Sequence, residues 1–301
     1  MGGKPQRLII IGDVGVDLVL GPISEWPRLG TETLVERSEL RAGGSAANAA
    51  LAVSYLGGDS RLLSAVGNDE PGAWLRGQLR PLGATLAVCD APTTLSVGLI
   101  HSCGERNFFT TRGHLEAFSY EILRPHIPTA ADSSSIALLS GVFLTPALRA
   151  AYPLLIRDLH TLGYRVALDT NWPPQDWSAA LREEVATWVA ASDHVLLNEL
   201  EVRSLAEATD LTAAIERLAP LLKRGATLAV KTGARGAVGA GDSFNAGYLL
   251  ARLDGAGLAE SLAAGCRAAS AIIARFPRRS IAAGDLATQR ARLPLGTVER
   301  V

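Results

Sequence analysis

Apolar positions along the chain fall into two alternating kinds of run. Short, continuous, largely β-branched runs lie at 7–11, 61–66, 136–139, 165–168, 194–197 and 228–231. Such runs read as strands buried on both faces. Longer Ala- and Leu-rich runs lie at 46–56, 73–82, 146–162, 179–191, 244–253 and 259–274, and read as helices. Strand and helix take turns through most of the chain, which predicts a doubly wound three-layer α/β sandwich. Two stretches break the rhythm. Residues 26–40 carry scattered polar positions and read as a strand excursion from the main sheet. Residues 94–100 and 106–111 flank Cys103-Gly104-Glu105 as the arms of a hairpin. Residues 293–301 read as a frayed tail.

Composition narrows the class. The 301 residues suit one large α/β domain or two small ones. With 48% hydrophobic and 20% charged residues the chain is globular rather than disordered. A net charge of −1 implies no broad basic surface for nucleic acid. Cys89, Cys103 and Cys266 form no CxxC pair and read as buried thiols rather than disulfides or zinc ligands. The five histidines form no HxxxH or HExxH pattern. The apolar run at 8–11 is too short for a signal peptide, and no run approaches membrane-spanning length. The expectation is a cytoplasmic protein.

The chemistry gathers around Gly239-Ala240-Gly241-Asp242, small residues opening the 244–253 helix. Free amides and the dipole at a helix start suit an anion. Asp242 there serves either as a cap or as a proton acceptor beside a phosphate cradle. Upstream, Gly43-Gly44-Ser45-Ala46-Ala47-Asn48 opens another helix, and its Asn48 amide offers both donors and acceptors to a polyol. Asp13 and Asp17 follow the first strand, where carboxylates meet ligand hydroxyls in open α/β sheets, although turn chemistry needs the same residues. Asn198-Glu199-Leu200-Glu201 after the 194–197 strand reads by itself as a helix start. Residues 12–15 are not GxGxxG, and no GxxxxGK[ST] occurs.

GAGDSFNAG, from Gly239, resembles the C-terminal signature of the ribokinase-like (PfkB) carbohydrate kinases. Gly43 to Asn48 resembles their N-terminal GG-x-x-x-N motif. The resemblance implies a single ribokinase-like domain over 1–301, with a small β-sheet lid inserted at about 20–42 and 94–114. It implies an ATP-dependent sugar kinase that phosphorylates a primary hydroxyl. Asp242 would be the general base, with Gly239, Ala240 and Gly241 in the anion hole. Asp13, Asp17, Gly43, Gly44 and Asn48 would bind the sugar. Asn198, Thr232 and Gly233 would lie near the nucleotide, with Glu201 in the outer shell of Mg²⁺. A homodimer through the lid is also implied. The alternatives are a nucleoside kinase of the same family and a non-catalytic sugar- or nucleotide-binding regulator.

One departure stands out. Relatives carry further strands, ending in Asp-Thr, between the TGxRG loop and GAGD. Here Ala237 runs directly into Val238, about 20 residues short, the size of two strands with turns. An omitted loop and a genuine deletion would each account for the shortfall, and the intact flanking motifs favour omission. The absent Asp-Thr belongs to the family's K⁺ region, so the resemblance leaves K⁺ dependence open here. Ribose, fructose, 2-keto-3-deoxygluconate and nucleosides all remain open as substrates. A sugar phosphate would want a basic cluster at the sugar site, which the sequence does not display.

Overall fold

The first strand shows how the layers form. Ile9 and Ile11 enter one apolar cluster while Leu8 and Ile10 enter another, and all four are fully buried. A strand's side chains alternate between faces, so a run apolar at every position requires cover on both. Each such side chain contributes about 1.5–3 kcal/mol when withdrawn from water. The computed structural model describes residues 6–103, 105–232 and 239–273.

In chain order the strands are β1 (Leu8–Gly12), β2 (Gly15–Ile23), β3 (Arg37–Gly43), β4 (Arg61–Gly67), β5 (Thr85–Cys89), β6 (Leu95–His101), β7 (Arg106–Thr110), β8 (Ile136–Ser140), β9 (Arg165–Asp169), β10 (His194–Asn198) and β11 (Thr227–Lys231). The principal helices are α1 (Ser45–Tyr55), α2 (Glu70–Leu79), α3 (Tyr152–Thr161), α4 (Ala179–Ala191), α5 (Glu199–Leu205), α6 (Leu211–Leu218), α7 (Ala240–Leu253) and α8 (Leu258–Ile273). Seven strands form an all-parallel sheet in the order β11-β10-β9-β8-β1-β4-β5. Helices α1, α2 and α7 bury their apolar faces on one side, and α3 to α6 on the other. The doubly wound sandwich expected from the pattern is the observed architecture.

The remaining strands make a separate four-stranded sheet, β3-β2-β6-β7, in which β2 and β6 run parallel and the outer pairs antiparallel. The sequence places the excursion's start too late. β2 already begins at Gly15, so Asp17 lies within a strand of the small sheet rather than in a loop after β1. The alternation of Val14, Val16 and Leu18 marks this strand, but Asp13 and Asp17 mask it as a polar turn. No strand is expected at 85–89, because the short run Leu86–Cys89 is an edge strand with half-exposed positions. The expected 146–162 helix is broken: a short turn covers Pro146–Arg149 and α3 starts afresh at Tyr152. Pro153 has no amide to donate and fits only the first turn of a helix. Of the cysteines expected to be buried, Cys89 is, while Cys103 at the hairpin and Cys266 on α8 are exposed. Residues 233–238, with the Ala237–Val238 junction and Gly233, and the 293–301 tail lie outside the described residues.

Candidate active site

From β1 the sheet grows in opposite directions, through β4 on one side and β8 on the other. Such a reversal opens a crevice beyond the C-terminal strand ends, where ligands of doubly wound sheets bind. Asp13 stands in that crevice. It follows β1, and its carboxylate accepts hydrogen bonds from the amides of Ser45, at 2.9 Å, and Ala46, at 3.3 Å. Asp13 therefore caps α1 from a distant part of the chain. The residue in the capping position itself is Gly44, which has no side chain to do so. Burial pushes the Asp13 carboxyl up to about 6, against the pull of those two amides.

The glycine pair makes room for both carboxylates. Gly44 has φ 92°, and a β-carbon there would lie 2.5 Å from the Asp13 carbonyl oxygen. A β-carbon on Gly43 would lie 2.2 Å from the Asp17 carboxylate. Asp17 is buried and pairs with Arg41 at 3.5 Å, and the two residues face each other across β2 and β3.

Asp242 enters from the other side of the crevice. Gly239 is the N-cap of α7, with φ 80°, so Asp242 occupies the third helical position and its side chain does not cap the helix. The amides of Ala240, Gly241 and Asp242 have no carbonyl one turn earlier in the helix to bond. Ser243 instead turns both its amide and its hydroxyl to the Gly239 carbonyl, at 3.0 and 2.6 Å, which tightens the loop. Burial pushes the Asp242 carboxyl up to about 8. The negative charges of Asp169 and Asp13 add to this, while Lys231 and a hydrogen bond from Asn48 oppose it. Asn48 of α1 and Asp242 of α7 thus meet, although 194 positions apart in the sequence.

Beneath Asp242 lies a buried polar cluster. Lys231, ending β11, donates to Asp169, ending β9, at 2.8 Å. The Asn245 side chain also donates to Asp169, and Lys231 reaches Asn245 at 3.4 Å. Burial alone would pull the Lys231 ammonium down, but Asp169, Glu201 and Asp242 outweigh it and hold its pKa above the ordinary value. A β-carbon on Gly241 would stand 3.7 Å from Lys231 Nζ, so this cation lies directly under the loop. Lys231 is thereby engaged by Asp169 rather than by solvent.

Asn198 and Glu201 form a reciprocal capping box. Asn198 Oδ1 accepts from the Glu201 amide and Glu201 Oε2 from the Asn198 amide, both at 2.8 Å. The helix-start reading of N-E-L-E is thus realised. It leaves Glu201 Oε1 for any second task, with the carboxyl pushed up to about 7 by burial and by Asp169. Among the described residues, no group of three His, Cys, Asp or Glu is arranged to hold a metal ion. Thr232 follows β11 and is exposed.

A family model described as pfkB family carbohydrate kinase matches residues 6–238 and 237–279. The chain belongs to that family. The two matched stretches meet at the junction where the motif spacing is short. A fructokinase of Klebsiella pneumoniae is 29% identical over 254 residues, covering 74% of this chain and 80% of its own length. Among solved structures, a probable sugar kinase from Rhizobium etli superposes with a TM-score of 0.72 at 20% identity, over 95% of this chain and 98% of that one. Adenosine kinase from Sinorhizobium meliloti gives 0.71 at 20% identity, over 95% and 99%. Ribokinase from Thermotoga maritima gives 0.67 at 21%, over 94% and 98%. At these identities the structural neighbours establish the fold. This chain is thus a carbohydrate kinase of the pfkB family, and ATP is the co-substrate that such a kinase implies.

Within this kinase, the residues drawn from the two motifs converge at one crevice. Asp13, Gly43, Gly44 and Asn48 approach from β1 and α1, and Asp242 from α7. Asp169, an acidic residue ending the otherwise apolar strand β9, lies below them and is absent from the expected site residues. No helix among the described residues is long and apolar enough to cross a membrane.

Proposed function

We propose that the protein transfers the γ-phosphate of ATP to a primary hydroxyl of a small carbohydrate, with Asp242 as the general base. The observation that carries this reading is the convergence of Asn48 and Asp242, one residue from each motif, on the same buried point at the N-terminus of α7. An acid of pKa about 8 exchanges a proton efficiently near neutral pH, because its ionised and protonated forms are both accessible there. The amides of Ala240 to Asp242 would donate to the transferring phosphoryl oxygens, fixed in advance by the helix. Asp17, Gly44 and Asn48 would hold the sugar, with Asp13 keeping the start of α1 in place. Thr232 and Gly233 would border the nucleotide. Mg²⁺ would arrive with ATP and keep most of its water, and Glu201 Oε1 suits a contact to such water.

The small sheet would act as a lid that excludes water from the transfer. Its outer face carries Trp26, Leu40 and Phe109, each more than half exposed, and we assign this face to a homodimer. We place the protein in the cytoplasm, where ATP is supplied.

ADP release measured with Mg-ATP across pentoses, hexoses, keto-deoxy sugars and nucleosides tests the reading. One strong sugar substrate is the expected result. A nucleoside as best substrate would transfer the protein to the nucleoside kinases. Silence across the panel from folded protein, with a melting shift on adding sugar or nucleotide, would favour the regulator.

A further inference from the structure

The register of the small sheet fixes which side chains share a face. Asp17 lies opposite Arg41 on β3 and opposite Ser96 on β6, and Ser96 lies opposite Thr110 on β7. Residues directly paired project to the same side, and successive residues alternate. Counting back from Thr110 by twos gives Phe108 and then Arg106, which lies opposite Ile100. Arg106 therefore shares a face with Asp17 and Arg41, about 13 Å along the strands from their row. The opposite face holds Phe109 and Leu40, the apolar surface described above.

Two guanidinium groups thus stand on the crevice side of the sheet. Arg41 is only 7% exposed, yet its Nε, Nη1 and Nη2 all lack a hydrogen-bond partner. Among the described residues its one salt bridge, to Asp17 at 3.5 Å, is made through Nε, so Nη1 and Nη2 remain without a hydrogen-bond partner. Buried donors are rarely left unpaired, and arginine's planar fork matches a carboxylate or a phosphate. Arg106 projects towards the same space. Arg106 is exposed at the end of β7, yet desolvation still pulls its guanidinium below the ordinary range, with Glu105, Arg41 and Asp242 as the charges acting on it. Asp17 balances one of the two arginine charges and Glu105 lies at the hairpin end of β7. The basic pair that the sequence does not display is therefore assembled by strand pairing.

We propose that the acceptor is an anionic sugar, and that Arg41 and Arg106 bind its carboxylate or phosphate while the far end of the molecule presents its hydroxyl to Asp242. This rests on the kinase reading and adds a substrate class to it. Carboxylate and phosphate share the chemistry that an arginine pair recognises, and the substrate arms of the test separate them.

The test compares kcat/KM for fructose, fructose 6-phosphate and 2-keto-3-deoxygluconate with Mg-ATP, in the wild type, Arg106→Gln and Arg41→Lys. One of the two anionic sugars is expected to exceed fructose at least 30-fold. Arg106→Gln should cut that preference at least tenfold, through KM with kcat within threefold. Arg41→Lys keeps the charge beside Asp17 but loses the fork, and should also lower the preference. A neutral sugar used best, or a preference unchanged in Arg106→Gln, overturns the anion site and leaves the kinase standing. If no sugar is turned over, melting shifts decide. A shift with an anionic sugar that Arg106→Gln abolishes keeps the anion site and removes the kinase reading. No shift with either anionic sugar overturns both.

Discussion

Gly43 lies so close to Asp17 that a β-carbon at the glycine would stand 2.2 Å from the carboxylate. The motif glycine is therefore a condition for placing the acid. Gly43→Ala must displace Asp17, and Arg41 with it. Sugar KM is expected to rise at least tenfold while KM for Mg-ATP stays within threefold. Equal losses for both substrates in steady-state kinetics would show a general collapse of the fold instead.

Asp242→Asn should abolish most turnover, by about 10²–10⁴-fold for loss of a general base, while sugar affinity by calorimetry changes little. A near-normal rate would remove the base assignment. In the wild type, the base must be ionised to act, so kcat/KM should rise with pH and level off above about 8.

The same carboxyl has a consequence for stability. Its folded pKa, about 8, is above the unfolded value of 3.8, so the folded state holds the proton more tightly. The resulting stabilisation is complete below the unfolded value and is lost as pH rises through the folded one. Asn carries no such proton. Asp242→Asn should therefore melt higher than the wild type, with the difference growing from pH 5 to pH 8.5 and then levelling. A difference independent of pH would contradict the burial of an ionisable Asp242.

The capping box separates two roles of the N-E-L-E segment. Asn198→Ala removes the cap of α5 and should lower stability by about 1 kcal/mol. Glu201→Gln preserves a capping box, because glutamine accepts the same amide, and it removes a buried carboxyl whose pKa is raised to about 7, so its melting temperature should be no lower than that of the wild type. Its KM for Mg-ATP is expected to rise at least threefold. An unchanged KM would confine the motif to starting the helix.

Phe109 and Trp26 lie with ring centroids 6.0 Å apart on the outer face of the small sheet. Phe109→Glu should convert a dimer into a monomer in sedimentation velocity. A wild type already monomeric at micromolar concentration would remove the dimer proposal.

The alternation of buried runs and amphipathic runs was enough to determine the sandwich, because a strand apolar at every position has to be covered on both sides. The two motifs were equally plain, since Gly43, Gly44 and Gly239 sit where close approach or positive φ excludes larger residues. The small sheet was only partly legible, because Asp13 and Asp17 made the start of β2 look like a turn. Tertiary structure alone decided where the charges went. It turned Asp13 to the amides of Ser45 and Ala46, gave Lys231 to Asp169, spent one oxygen of Glu201 on a cap, and put Arg41 and Arg106 on one face of the small sheet. The physical reason is range. Hydrophobic periodicity is a local property that a short window of sequence carries. A buried charge is set by whichever partner the folded chain brings within a few ångströms, and here those partners come from strands and helices far apart in the sequence.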